Sequence, residues 1–246
     1  MHRIAHACLL SVALVTMLSA APAAEQRFNP KSPSFATLFS AFNENYKQAL
    51  YATQQGERER SVGELAATRL TWEMVLLRYY ETPPEAYRKD ARWKADLATV
   101  SGYIDAAEAQ LHAGNLAEAH ASLEPIRRLW ADINERSGVR RFGDALTKFH
   151  EVMEPAVLAG KTADEATLAA FQGKLEALTP GWKKVQHFGF LPKRAEDKKR
   201  FKELVAAETL AIEDLTKAAE AKDCAAIQKL APEVKNAFAE LYLAFG

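Results

Sequence analysis

From residue 35 onward, apolar side chains recur at intervals of three and four. Phe35, Phe39, Phe42, Tyr46 and Ala49 share one helical face, and Phe142, Leu146, Phe149, Met153 and Ala156 do the same further along. That spacing is what an amphipathic helix buried on one side requires. Nothing past the first two dozen residues alternates with a period of two. Only 11 Gly are present, and Ala, Leu, Glu and Lys are plentiful, which favours helices over sheet. The pattern predicts an all-α protein.

The pattern also repeats. Phe42 aligns with Phe149, Tyr46 with Met153 and Ala49 with Ala156, at an offset of about 107. Trp93, Leu97 and Ile104 align with Phe201, Val205 and Ile212, and Leu129, Trp130 and Ile133 with Ala237, Phe238 and Leu241, at about 108. Punctuation recurs too. Gly56 and Gly160 are expected to end the first helix of each half. Ser61 to Glu64 and Thr162 to Glu165 are expected capping boxes for the second helix, and Asn115 to Glu118 is a third, with Asp223 as its counterpart.

Each half therefore reads as four helices. The expected spans are roughly 35–54, 61–81, 88–113 and 116–136, then 141–159, 163–188, 195–221 and 224–245. Short turns between them predict two tandem up-down four-helix bundles related by internal duplication, at 24–138 and 139–246, meeting near Gly138. Pro180-Gly181 is expected to break or kink the second helix of the later half. Pro125 and Pro232 are expected to kink the two fourth helices.

The opening "MHRIAHACLLSVALVTMLSAAPA" has Arg3, an apolar run from Ala7 to Leu18 and small residues at Ala21 and Ala23. The run is shorter than the ~18–20 residues needed to span a bilayer, so residues 1–23 are read as a cleaved signal peptide. The expected destination is the periplasm or the exterior. The whole chain carries 32 basic and 32 acidic residues, so charge gives no reason to expect nucleic acid or a membrane surface. Past the leader no transmembrane segment is expected. Cys224 alone remains there, so no internal disulfide can form and the core must hold the fold.

The closing segment "DCAAIQKLAPEVKNAFAELYLAFG", and more faintly "NLAEAHASLEPIRRLWADINERSG", resembles the last helix of the cytochrome c-prime family. In that family this helix holds Cys-x-x-Cys-His, which attaches haem. The resemblance places Phe238, Leu241 and Tyr242 at those three places, with Trp130, Ile133 and Asn134 in the first half. No Cys-x-x-Cys-His exists in the chain, so no covalent haem is expected; bulky side chains are expected to fill that space. The resemblance further implies that the two bundles pair within one chain through their first two helices, with Phe35–Tyr46 and Phe142–Met153 near the interface.

Candidate chemistry is sparse. His150, Met153 and Glu154 share one side of a helix, which suits a copper, iron or zinc ion. Met153 also lies on the core-facing stripe, so packing accounts for it equally well. His187 is expected some 20 Å along the axis from His150. His112 and His120 flank the Asn115 turn, each with a Glu one helical turn away, and are expected at the solvated surface. Cys224 at a helix start is either a reactive thiol or a small first-turn residue. Aromatic residues in "RYYETPPEAY" and "HFGFLP" either line a pocket or plug the bundle ends.

No Glu-x-x-His, His-Glu-x-x-His, phosphate loop or Gly-x-Ser-x-Gly occurs, and no enzyme is expected. The leading expectation is a binding or interaction module of the cell envelope, whose partner is an envelope protein or a small ligand. A metal-handling role for His150, Met153 and Glu154 is the alternative.

Overall fold

Ser34 opens the first helix by accepting the Thr37 N–H on its hydroxyl at 3.2 Å, and Gly56 closes it at φ 74°. Both features follow from local chemistry: a hydroxyl satisfies a free amide, and glycine tolerates the left-handed region. In the computed structural model, which describes residues 33–246, this helix is the first of nine. They are α1 (Phe35–Gln55), α2 (Arg58–Tyr79), α3 (Trp93–His112), α4 (Leu116–Arg136), α5 (Phe142–Lys161), α6 (Leu168–Leu175), α7 (Leu178–Gln186), α8 (Ala195–Glu220) and α9 (Cys224–Phe245). A 3-10 turn, Glu85–Tyr87, precedes α3. Among the described residues there is no strand, so the expected all-α class holds. No helix among them is long and apolar enough to cross a membrane. The expected leader lies outside the described residues.

Several local expectations need correction. Ser61 does not start α2. The helix begins three residues earlier, and the Ser61 hydroxyl donates to the Glu57 carbonyl at 2.8 Å. Thr162 ends α5 rather than opening the next helix, and Asp164 and Thr167 hydrogen-bond each other in the turn that follows. Asn115 precedes α4 without capping it, because its amide donates to Gln110 instead. Asp223 does cap α9, accepting from the Ala226 N–H at 3.0 Å. Residues 88–92 lie outside α3, which begins at Trp93.

Proline acts at a distance from its own position. Pro180 has no N–H for the Glu176 carbonyl, and the chain parts there into α6 and α7. The break therefore falls about one turn before Pro180, which sits in the first turn of α7, where a missing N–H costs little. Pro125, Pro155 and Pro232 all lie inside helices that continue past them.

Two rings of helices follow. In the first, α1 packs on α2 and α4, and α3 on α2 and α4. In the second, α5 packs on α6, α7 and α9, and α8 on α6, α7 and α9; the short α6 and α7 together take the place of one helix, so each ring is a quartet. A buried indole ties second to third helix in both: Trp72 donates to Ser101 and Trp182 to Thr209, each at 2.9 Å. The two quartets meet where α1 packs on α9 and α4 on α5. So α1 and α5 do lie at the seam, but each faces the last helix of the other quartet. The interface implied by the family resemblance, between first and second helices, is not the one formed.

Buried residues of both quartets form one continuous hydrophobic cluster. Phe42, Tyr46, Trp72 and Trp93 centre the first, and Phe149, Met153, Phe171 and Leu241 the second. Each such side chain contributes about 1.5–3 kcal/mol by leaving water. The aromatic segments plug the ends. Phe35 stands between Tyr79, Tyr87 and Trp93 at 5.2, 5.4 and 6.0 Å, and Phe190 between Phe142 and Phe201 at 4.6 and 5.2 Å.

Candidate functional site

The α4–α5 seam concentrates the buried charge. Arg127 lies on the apolar stripe of α4, between Leu123 and Trp130, and is only 7% exposed. It forms an ion pair with Glu124, and its Nη2 reaches across the seam to His150, 2.8 Å from Nδ1 and 2.9 Å from Nε2. His150 Nε2 stands 3.4 Å from Glu154, whose other oxygen accepts from Lys235 at 2.8 Å. On the far side, His120 bridges Glu124 at 3.2 Å and the Leu50 carbonyl at 3.0 Å. His120 is thus largely buried between helices, not on a solvated turn.

These contacts set the protonation states. Burial alone would raise Glu124, but the His120 hydrogen bond and the Arg127 charge outweigh it and hold the carboxyl at about 2. Glu154 is also held at about 2: burial opposes ionisation, and His150, 3.4 Å away, together with the Lys235 hydrogen bond overcomes it. His150 is pushed below the ordinary histidine value by burial, with Arg127 adding to the effect. Its imidazole is therefore neutral at pH 7.

Of the three predicted metal ligands, the structure brings His150 and Glu154 together. Met153 is fully buried in the hydrophobic cluster and does not line the cleft beside them. Among the described residues, no three His, Cys, Asp or Glu side chains gather in a metal-binding group. His187 bonds back to the Lys183 carbonyl of its own helix at 2.6 Å. Cys224 is half-buried at the start of α9.

Two cavities open along the seam. The cleft beside His150 has a volume of about 820 Å³. Most of its charges compensate one another: Arg127 with Glu124, Arg128 with Glu151 at 3.2 Å, Glu154 with Lys235; Lys174 at its edge has no ion pair among the described residues. The second cavity, about 540 Å³, lies towards the α4–α5 turn, between the end of α4, the first turns of α5 and the face of α7. Phe149, Val152, Phe188 and Val139 give it apolar walls. Its rim carries Arg140, Arg141, Lys148 and Lys184 against Glu135 and Asp144. Lys148 and Glu135 neutralise each other at 3.0 Å, leaving three cations facing one carboxyl.

Both rim arginines lie over rings, Arg140 at 5.0 Å from the Phe188 centroid and Arg141 at 4.3 Å from that of Phe39. A smaller adjoining space of about 350 Å³ shares Arg140, Arg141, Asp144 and Phe188 and reaches Trp130. Asp144 is fixed from both quartets. The Tyr87 hydroxyl donates to Asn134, and the Asn134 amide donates to both Asp144 oxygens at 3.0 and 3.1 Å. Burial pushes the Asp144 carboxyl up to about 6.

No family model, curated protein or solved structure matches this chain.

The sequence reading missed three buried polar groups. Arg127 was visible as a cation on an apolar helical stripe. Glu208 interrupts the Leu204–Ile212 stripe of α8, where Val100 stands in the first half. It is fully buried, and neither carboxyl oxygen has a hydrogen-bond partner among the described residues. The Trp130 indole N–H is likewise buried without an acceptor among them. No sequence pattern distinguishes that last case.

Proposed function

We propose that this chain is an exported binding module of the cell envelope that holds a small ligand in the groove between α4, α5 and α7. One observation carries the reading. The groove combines a cavity of about 540 Å³, apolar and aromatic walls and a rim with more cations than acids. That is the composition of ligand pockets: concave, mostly apolar, with a few convergent polar groups. The larger cleft beside His150 is the poorer candidate despite its size, because its arginines and carboxylates are already paired with one another and only Lys174 at its edge is left to attract a ligand.

The expected leader supports export. The internal repeat and the likeness to cytochrome c-prime bear on the arrangement of helices and not on the ligand, since a fold does not carry a function.

A metal-handling role has weaker support. His150 and Glu154 are adjacent, but Arg127 occupies the space a cation would need and repels positive charge. Glu154 is engaged by Lys235 and Met153 by the core.

A thermal-shift screen with small aromatic and aliphatic compounds tests the binding reading, since a ligand at 100 times its Kd stabilises by about 2.7 kcal/mol. Compounds that raise Tm should lose that effect in Ala145→Trp, which fills the groove, and keep it in Leu158→Trp, which obstructs the His150 cleft. Stabilisation that survives Ala145→Trp would overturn the reading.

A further inference from the structure

We infer that the occupant of this groove is a flat aromatic carboxylate, its ring against Phe149 and Phe188 and its carboxylate at Arg140, Arg141 and Lys184. The inference rests on the binding reading above and adds the chemical class of the ligand.

Charge selects the anion. Arg140 and Lys184 are exposed and form no ion pair among the described residues, and the only acid left facing them is Asp144. Asp144 is already engaged by the Asn134 amide and by the Arg141 backbone N–H. The cationic rim is therefore unsatisfied within the fold, whereas the His150 cleft pairs each of its arginines with a carboxylate. A carboxylate suits a guanidinium because its two oxygens match two parallel N–H donors.

Shape selects the ring. Within this groove Arg140 lies over the Phe188 ring at 5.0 Å, so a guanidinium and an aromatic face already share one surface. A groove with that surface on one wall accepts a rigid planar body with less loss of freedom than a flexible chain would suffer. Gly181 forms part of the wall. A Cβ there would stand 2.9 Å from Val152 Cγ2 and 3.3 Å from Phe149 Cδ2, so its absence lets α7 close the slot against α5.

Isothermal titration calorimetry with 2-naphthoate and its neutral analogue 2-naphthalenemethanol tests this. The expected result is one naphthoate per chain, with the alcohol at least ten-fold weaker. Lys184→Gln should weaken naphthoate about three-fold while leaving the alcohol and Tm unchanged, since Lys184 is exposed and forms no ion pair among the described residues. Equal affinity for acid and alcohol, abolished by Ala145→Trp, would overturn the carboxylate inference and leave the binding groove standing. Binding of neither compound at millimolar concentration would overturn the inference of an aromatic ligand. Naphthoate binding that resists Ala145→Trp would remove the site altogether.

Discussion

The Arg127 guanidinium of α4 sits 2.8 Å from Nδ1 of His150 on α5, so the two quartets meet through a buried cation and a neutral imidazole. The cation belongs to Glu124, its ion-pair partner one helical turn away. Replacing Arg127 by Leu would leave Glu124 buried without its main counter-charge, a loss of about 3–5 kcal/mol. His150→Gln removes a neutral ring and should cost about 1 kcal/mol. Urea unfolding of both variants at pH 7 measures the difference. Equal losses would mean that Arg127 has no special place in the seam.

Acid should weaken the seam. Glu124 and Glu154 are both held at about 2, below their unfolded values, so their stabilisation is complete above about pH 4.5 and drains as pH falls towards 2. Each is less than a third exposed, and each contributes on the order of 2 kcal/mol. Denaturation midpoints between pH 5 and pH 2.5 should drop in the wild type and drop less in Glu154→Gln. A Glu154→Gln profile parallel to the wild type would show that the Lys235 pair adds nothing.

Alkali should weaken the second quartet for the opposite reason. Glu208 has its carboxyl pushed up by burial, with no partner among the described residues to favour the charge. A group raised in the fold stabilises fully below its unfolded value and progressively less as pH rises above it. Glu208→Leu makes the buried stripe of α8 continuously apolar and should gain about 1–3 kcal/mol at pH 7. The gain should widen towards pH 9, read as the urea midpoint at the two pH values. A destabilised Leu variant would show that the carboxyl has a partner after all.

Periodicity made most of this legible. The apolar spacing in Phe35–Ala49 and Phe142–Ala156 located α1 and α5, and Gly56 and Asp223 marked ends that hold. Ser61 misled because a hydroxyl inside a helix also bonds back to the preceding turn, and Thr162 because it ends α5 instead of opening the next helix. The His150–Glu154 pair followed from its spacing of four. Arg127 beside it did not, because α4 meets α5 through a tertiary crossing that local spacing does not encode. The same holds for the groove, whose walls come from α4, α5 and α7 at once.

Gly160 shows how a residue can be singled out for the wrong reason. It lies inside α5, one residue before the helix ends, and does not turn the chain. A Cβ on it would stand 2.6 Å from the Ala231 Cβ and 3.1 Å from Phe171 Cε2, so the missing side chain lets α5 approach α9 and α6. Helix propensity alone makes Gly160→Ala favourable by roughly 1 kcal/mol. Here the methyl meets a small, immobile neighbour and a buried ring, and overpacking costs about 1–3 kcal/mol. The clash should outweigh the propensity gain, leaving the variant less stable than the wild type. Gly173→Ala, whose Cβ would meet nothing within 4 Å, is the control and should stabilise α6. Thermal melts of the two variants compare the effects directly. If Gly160→Ala melts above the wild type, the close approach of α5 and α9 is not what keeps glycine at this position.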